Sequence, residues 1–221
     1  MRIALISDTH GNLPSIPEDV DAVIHAGDIC PDAPTGGRTQ EEWLASTFAE
    51  WCATSAVPIY ATWGNHDFTQ RLTRAWEDNL RPSVYIIVDA WVPITGRKVW
   101  FSPWVPNLPM WAWNLSERAL ATKASNIPDD IDIIVSHGPP YGCGDALYDT
   151  GHNRVGSHAL RHRIGQLPNL THVICGHIHE DRGTHIIHDD HDITVLNVAS
   201  VDGNYDPYTP RWTFLELEDK T

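Results

Sequence analysis

Five short apolar runs rich in valine and isoleucine, Arg2–Ser7, Ala22–His25, Pro58–Thr62, Ile131–Ser136 and Thr171–Cys175, each stop just short of a glycine or an aspartate. Runs of this length, bounded by turn residues, predict buried β-strands. Between the second and third lies Glu41–Thr54, where Trp43, Leu44, Thr47, Phe48 and Trp51 recur every three or four residues. That spacing predicts an amphipathic helix. Strand followed by helix, repeated, implies a parallel sheet core. Two stretches break the rhythm: Val84–Val105 with its Thr95-Gly96 turn, and Thr184–Glu218, where β-rich runs flank His188–Asp192. Both read as hairpins. The expected architecture is α/β, with two packed sheets and helices outside. Pro31–Thr39, with two prolines and two adjacent glycines, reads as a flexible surface loop.

Length and composition narrow this picture. The 221 residues, 42% hydrophobic, are enough for one domain spanning 1–221. Lys and Arg number 15 against 29 Asp and Glu, a formal charge of −14 spread along the chain. Long-range attraction to nucleic acid or an anionic membrane is disfavoured, unless bound cations make a local positive site. The four cysteines, Cys30, Cys52, Cys143 and Cys175, lack CxxC spacing and are too few for a disulfide scaffold. With no 18-residue apolar run, and a first apolar run too short for a signal segment, a soluble, cytoplasmic protein is expected.

Every predicted parallel strand ends in residues able to bind a metal ion. Asp8-Thr9-His10 comes after the first, Gly27-Asp28 after the second, Gly64-Asn65-His66-Asp67 after the third, His137-Gly138 after the fourth and Gly176-His177-Ile178-His179 after the fifth. In an open α/β sheet the carboxyl ends of parallel strands share one edge, so these residues are expected in one crevice. Two Asp, one Asn and four His suit zinc, manganese or iron better than calcium, which takes oxygen ligands only. Gly27, Gly64 and Gly176 are expected to let the backbone turn sharply and come close to a ligand.

This ordered set, D-x-H, GD, GNHD, a lone His and G-H-x-H, resembles the calcineurin-like metallophosphoesterase family over Asp8 to His179. The resemblance implies a four-layer αββα sandwich and two divalent ions (Mn, Fe or Zn). It puts Asp8, His10 and His179 on one metal, Asn65, His137 and His177 on the other, and Asp28 between both. It further implies in-line attack on phosphorus by a hydroxide shared between the ions, and a leaving-group role for His66, with Asp67 holding its ring. The family's purple acid phosphatase branch carries a metal-binding Tyr three residues after the bridging Asp; here that position is Pro31. Ser136-His137-Gly138-Pro139-Pro140 and Ser102-Pro103-Trp104-Val105-Pro106 look most like the small metallophosphoesterase-domain proteins and class III cyclic nucleotide phosphodiesterases. Small phosphodiesters, cyclic nucleotides among them, are the implied substrates. A phosphomonoesterase or a nuclease of the same fold are the alternatives this chemistry permits, and an inactive protein-binding scaffold is the alternative from another class.

Other residues take plainer readings. His25 and His172 read as packed core histidines. His185, His188 and His191 suggest a second metal site only if the Asp189-Asp190 between them is more than a solvated turn. Trp91, Trp100, Trp104, Trp111 and Trp113 are expected to pack between hairpin and sheets, with Trp104 or Trp111 as the alternative pocket walls. Arg154, Arg161 and Arg163, near a helix expected from about Ser157, read as a solvated face, with phosphate contact by Arg154 as the alternative.

Overall fold

In this computed structural model, which describes residues 1–32, 39–71, 77, 80, 83–148 and 153–218, the five runs become strands of two sheets rather than one. They are β1 (Arg2–Ile6), β2 (Ala22–His25) and β3 (Ile59–Ala61) in the first sheet, and β9 (Ile133–Ser136) and β12 (His172–Cys175) in the second. With β4 (Val84–Ile86) the first sheet is parallel from β1 to β4, and β15 (Thr213–Glu216) lies antiparallel on its β1 edge. The second sheet runs β13 (Gly183–His188), β14 (Asp192–Asn197), β12, β9, β6 (Arg97–Ser102), β5 (Ala90–Ile94), parallel inside and antiparallel at both edges. Between β6 and β9 come the short strands β7 (Val105–Pro106) and β8 (Asn114–Leu115), which pair with each other. A second short pair, β10 (Ala146–Leu147) and β11 (Asn153–Arg154), lies between β9 and β12.

The apolar runs are continuous because both faces of each strand are covered. Ile3, Leu5 and Ile24 of the first sheet meet Phe101, Ile133, Val135 and Ile174 of the second between the sheets. Their neighbours point outward. Ala4, Val23 and Ile59 pack under the helix Gln40–Ala53 through its Trp43, Leu44, Phe48 and Trp51. Ile134 and Val173 pack under α3 (Glu117–Ala124) and α4 (His158–Ile164) through Ala124, Leu160 and Ile164. Helix, sheet, sheet, helix is the expected αββα order.

The helix Gln40–Ala53 has three segments: α1 (Gln40–Trp43), a π-helical turn (Leu44–Phe48) and α2 (Ala49–Ala53). A Thr39/Glu42 capping box opens it. The Gln40 side chain then donates to the His66 carbonyl at 2.8 Å and accepts from the Phe68 amide at 2.9 Å, tying the helix start to the loop after β3.

Three expectations are corrected. Val84–Val105 is not one hairpin: Val84–Ile86 joins the first sheet, and only β5 and β6 pair about Thr95-Gly96, both at positive φ. Thr184–Glu218 likewise divides, β13 and β14 forming the hairpin while β15 crosses to the other sheet. Strand–helix alternation fails between β1 and β2, whose connection is irregular. Positions 33–38 of the expected Pro31–Thr39 loop lie outside the described residues. Among the described residues, no helix is long and apolar enough to cross a membrane.

The sheets meet where β1 ends. Ser7 donates its amide to Val198 at 3.1 Å and accepts from the Ser200 amide at 2.9 Å, joining the end of β1 to the chain leaving β14.

Candidate metal centre

All seven predicted ligands and His66 lie at this junction, drawn from both sheets. Asp8, His10, Asp28, Asn65 and His66 come from loops after β1, β2 and β3. His137, His177 and His179 come from loops after β9 and β12. Three overlapping groups keep their donor atoms within 4.8 Å of one another: Asp8, His10 and His179; Asp28, His137 and His177; and His10, Asp28 and His66. Asn65 reaches the second group through Oδ1, 3.0 Å from His137 Nε2.

The backbone is bent to achieve this. Asp8, His10, Asp28 and His177 all have φ between 45° and 67°. Non-glycine residues held there cost on the order of 1–3 kcal/mol each, and such strain gathers at functional sites. The glycines act mostly by absence of a side chain. A Cβ at Gly64 would overlap Asp28 Oδ1, and one at Gly176 would overlap Asp8 Oδ2 and Ser7 Oγ. Of the three flagged glycines only Gly27 adopts a positive φ.

The donor set has the chemistry of a cation site. His137 Nδ1 faces the Ala26 carbonyl at 2.9 Å and His179 Nδ1 the Asp202 carbonyl at 3.1 Å, so each Nδ1 is the N–H donor and each Nε2 keeps its lone pair. Those lone pairs face carboxylate acceptors: Nε2 of His137 lies 3.2 Å from Asp28 Oδ2 and Nε2 of His179 3.4 Å from Asp8 Oδ1, with His10 Nε2 also 3.4 Å from His179 Nε2. Lone pair against lone pair is repulsive unless a proton or a metal ion stands between. His10 Nδ1 is buried without a hydrogen-bond partner. These residues fit a divalent metal pair.

Protons fill that role in the metal-free chain. Burial pulls the His137 ring down, but Asp28 and Asp8 outweigh it and raise it to about 9. Burial pushes the Asp8 and Asp28 carboxyls up, yet the imidazoles of His179 and His137 hold both well below the usual carboxylate range. His177 goes the other way, to about 3, because burial and the charge on His137 both oppose its protonation.

His66 belongs to the third of these groups, its ring 4.6 Å from His10 and 4.1 Å from Trp111. Its Nδ1 is held by Asp32, not by the expected Asp67. Asp67 instead turns into the protein and accepts from the amides of Ile29, Cys30 and Gly64 at 3.2, 2.7 and 2.8 Å. Burial and nearby Asp28 push its carboxyl up to about 6, against the pull of those amides. It braces the loops carrying Asp28 and Asn65. Asp32 gave no sequence signal, since it lies outside every motif.

Tyr205 was also missed. Its ring lies 4.7 Å from His10 and 5.4 Å from His179, and it lines the mouth of the site with Trp111, Leu108 and Glu180 in an open cavity of about 250 Å³. Of the tryptophans, Trp111 walls that mouth; Trp104 instead binds Asp89 through its indole N–H, under Lys123. Trp100 packs beneath the outer helices, Trp113 donates to the Asp67 carbonyl, and Trp91 faces solvent.

The remaining candidates disperse. His25 is buried against Thr9 Oγ1 and pulled down to about 3 by burial, the neutral core residue expected. His172, half-buried, bonds Thr171. His185, His188 and His191 engage the Asp181 carbonyl, Asp192 and the Leu170 carbonyl respectively, and share no site. Arg154, Arg161 and Arg163 pair with Asp145, Asp189 and Asp129.

A family model for calcineurin-like phosphoesterases matches residues 1–181. Human metallophosphoesterase domain-containing protein 1 is 28% identical over 235 aligned positions, covering 95% of this chain and 69% of that protein. A probable glycerophosphodiester phosphodiesterase of Arcobacter nitrofigilis is 27% identical, covering 72% of this chain and 56% of its own length. Among solved structures, a dimetal phosphatase from Danio rerio superposes with a TM-score of 0.54 at 13% identity, covering 93% of this chain and 88% of its own, a likeness of fold.

The packing and charges of the site lead to two expected outcomes. Asp67→Ala strands three buried amides and is expected to cost about 3 kcal/mol or more in denaturant unfolding, by the same amount with or without chelator. In chelated protein, stability should peak near pH 6.5, the unfolded histidine value. His137 stabilises below that pH and its contribution, roughly 3 kcal/mol, is lost as pH rises through about 9. His25 and His177, held neutral to about 3, make stability fall as pH drops below 6.5. Unfolding midpoints across pH 4–10 check both arms, and His137→Gln should flatten the alkaline one.

Proposed function

The chain belongs to the calcineurin-like phosphoesterase family, and from that premise we propose that it hydrolyses small phosphodiesters, cyclic nucleotides included, at a site holding two divalent metal ions. Membership carries the coarser statement, phosphoester hydrolysis with divalent metals. The observation that supports the two-metal reading best is the set of imidazole lone pairs turned on Asp8 and Asp28, which are buried at the edges of two sheets. In this reading Asp8, His10 and His179 hold one ion, Asn65, His137 and His177 the other, and Asp28 lies between them. The ions supply Lewis acidity toward the phosphoryl oxygens and a hydroxide nucleophile at neutral pH.

The chain's own residues do the rest. Two divalent charges against Asp8 and Asp28 leave the centre positive, so a phosphate anion can bind within a protein of charge −14. His66, with Nδ1 committed to Asp32, has Nε2 available for the departing ester oxygen, to which it gives a proton. Trp111, against the His66 ring, fixes its plane and keeps water from that side. Phosphodiester preference draws support from the name of the Arcobacter relative and from the motif resemblance. A nuclease is less well supported, because Arg154, Arg161 and Arg163 are each paired with an acid.

Hydrolysis of bis-p-nitrophenyl phosphate and p-nitrophenyl phosphate by chelator-stripped protein, with manganese, zinc or iron restored singly, tests this. The expected result is metal-dependent turnover favouring the diester and lost in Asn65→Ala. His66→Ala should retain its metal and lose about 10²–10⁴-fold in turnover. Preference for the monoester would replace the diester reading, and a chain that binds no metal would replace the enzyme reading.

A further inference from the structure

Beyond the mouth, a second cleft of about 530 Å³ opens on the far side of His177. The two cavities share Leu108 and His177 as walls, so one ligand held at the centre can extend into both. Their linings differ. The mouth is aromatic and polar, with His66, Trp111 and Tyr205. The cleft is built from Pro106, Leu108, Val155 and Ile178, with Arg154 and Glu117 as its charged members.

Both charges already have partners within the protein. Arg154 Nη1 is 2.7 Å from Asp145 Oδ1 and 3.8 Å from Asp181 Oδ2, two buried carboxylates for one guanidinium. Glu117 accepts from the amides of His158 and Ala159 at 3.1 and 2.9 Å and stays an acid in the wall. The lining thus holds one acid and one guanidinium already paired within the protein, so its aliphatic walls favour an uncharged, apolar group over a second phosphate or carboxylate.

We infer that this cleft receives the retained ester substituent of an acyclic phosphodiester, and that this substituent is uncharged and largely apolar; the inference rests on the phosphodiesterase reading above and favours acyclic diesters over cyclic nucleotides within it. The leaving alcohol then lies at the mouth. A hydroxide oxygen bonds to phosphorus, the P–O bond on the His66 side breaks, and the alcohol departs with the proton from His66. The ester bond in the cleft stays intact, and the product is a monoester still carrying the cleft substituent. Water supplies the hydroxide and the proton that restores His66.

The test is equilibrium binding to the manganese-loaded His66→Ala protein, whose slowed turnover leaves the diester intact while the cleft is read. Methyl, ethyl and butyl phenyl phosphates form a ladder, and burial of each methylene should tighten binding up to about fourfold. Val155→Trp, which fills the cleft, should flatten the ladder and weaken butyl phenyl phosphate at least tenfold, while inorganic phosphate affinity changes less than twofold. A flat ladder in the His66→Ala protein with Val155 in place overturns the inference. So does a ladder that Val155→Trp leaves intact, in a variant whose melting temperature and metal content are unchanged. A rising ladder without hydrolysis of any ester would defeat the enzymatic reading and keep the cleft assignment; hydrolysis with a flat ladder would do the reverse.

Discussion

Two carboxylates, Asp8 and Asp28, stand almost without solvent exposure where the two sheets meet, and the architecture is arranged around keeping them ionised there. An isolated buried carboxylate would take up a proton instead. Here His137 and His179 supply the opposing charge in the metal-free chain, and the His177 amide donates to both oxygens of Asp8 at 3.0 Å. A cation bound in this frame would take the place of those protons. The side chains that stabilise the empty site are the ones that would hold an ion, so protonation and metal binding compete for the same lone pairs.

That frame depends on couplings far apart in sequence. Ser7 bonds the chain after β14, which brings the loop after β1 against the loop after β12 and sets Asp8 beside Gly176. Asp67 and the Trp113 indole brace the loop after β3 from beneath, and Gln40 holds it from the side. Positive φ values at four of the predicted ligands are sustained because each of their loops leaves the end of a core strand. A rigid scaffold with bent tips keeps the donors close before anything binds, which lowers the reorganisation needed on binding.

Around the candidate metal centre the surface is not uniform. Aromatic rings gather on the His66 side, whereas the cleft past His177 combines aliphatic walls with one acid and one paired guanidinium. The overall −14 charge is thus compatible with an anionic substrate only if its negative charge is concentrated at the centre itself. A diester with one phosphoryl charge and neutral substituents meets that condition, and a polyanion does not.

The apolar runs determined the strands of the core, because a strand covered on both faces must be apolar throughout, and they located every predicted ligand at a strand end. The order of the ligand motifs was equally legible, since each residue's chemistry is local to its motif. Tertiary structure alone decided how the strands divide between two sheets and that Val84–Ile86 and Thr213–Glu216 leave their apparent hairpins, because pairing between distant strands has no short-range pattern. It also decided which acid faces His66. Asp67 is adjacent in sequence, but its backbone conformation points the carboxylate at three amides, while Asp32 arrives from the loop after β2. Sequence carries what a residue can do chemically; what it touches depends on contacts between segments that are remote along the chain, and these exist only once the sheets have packed.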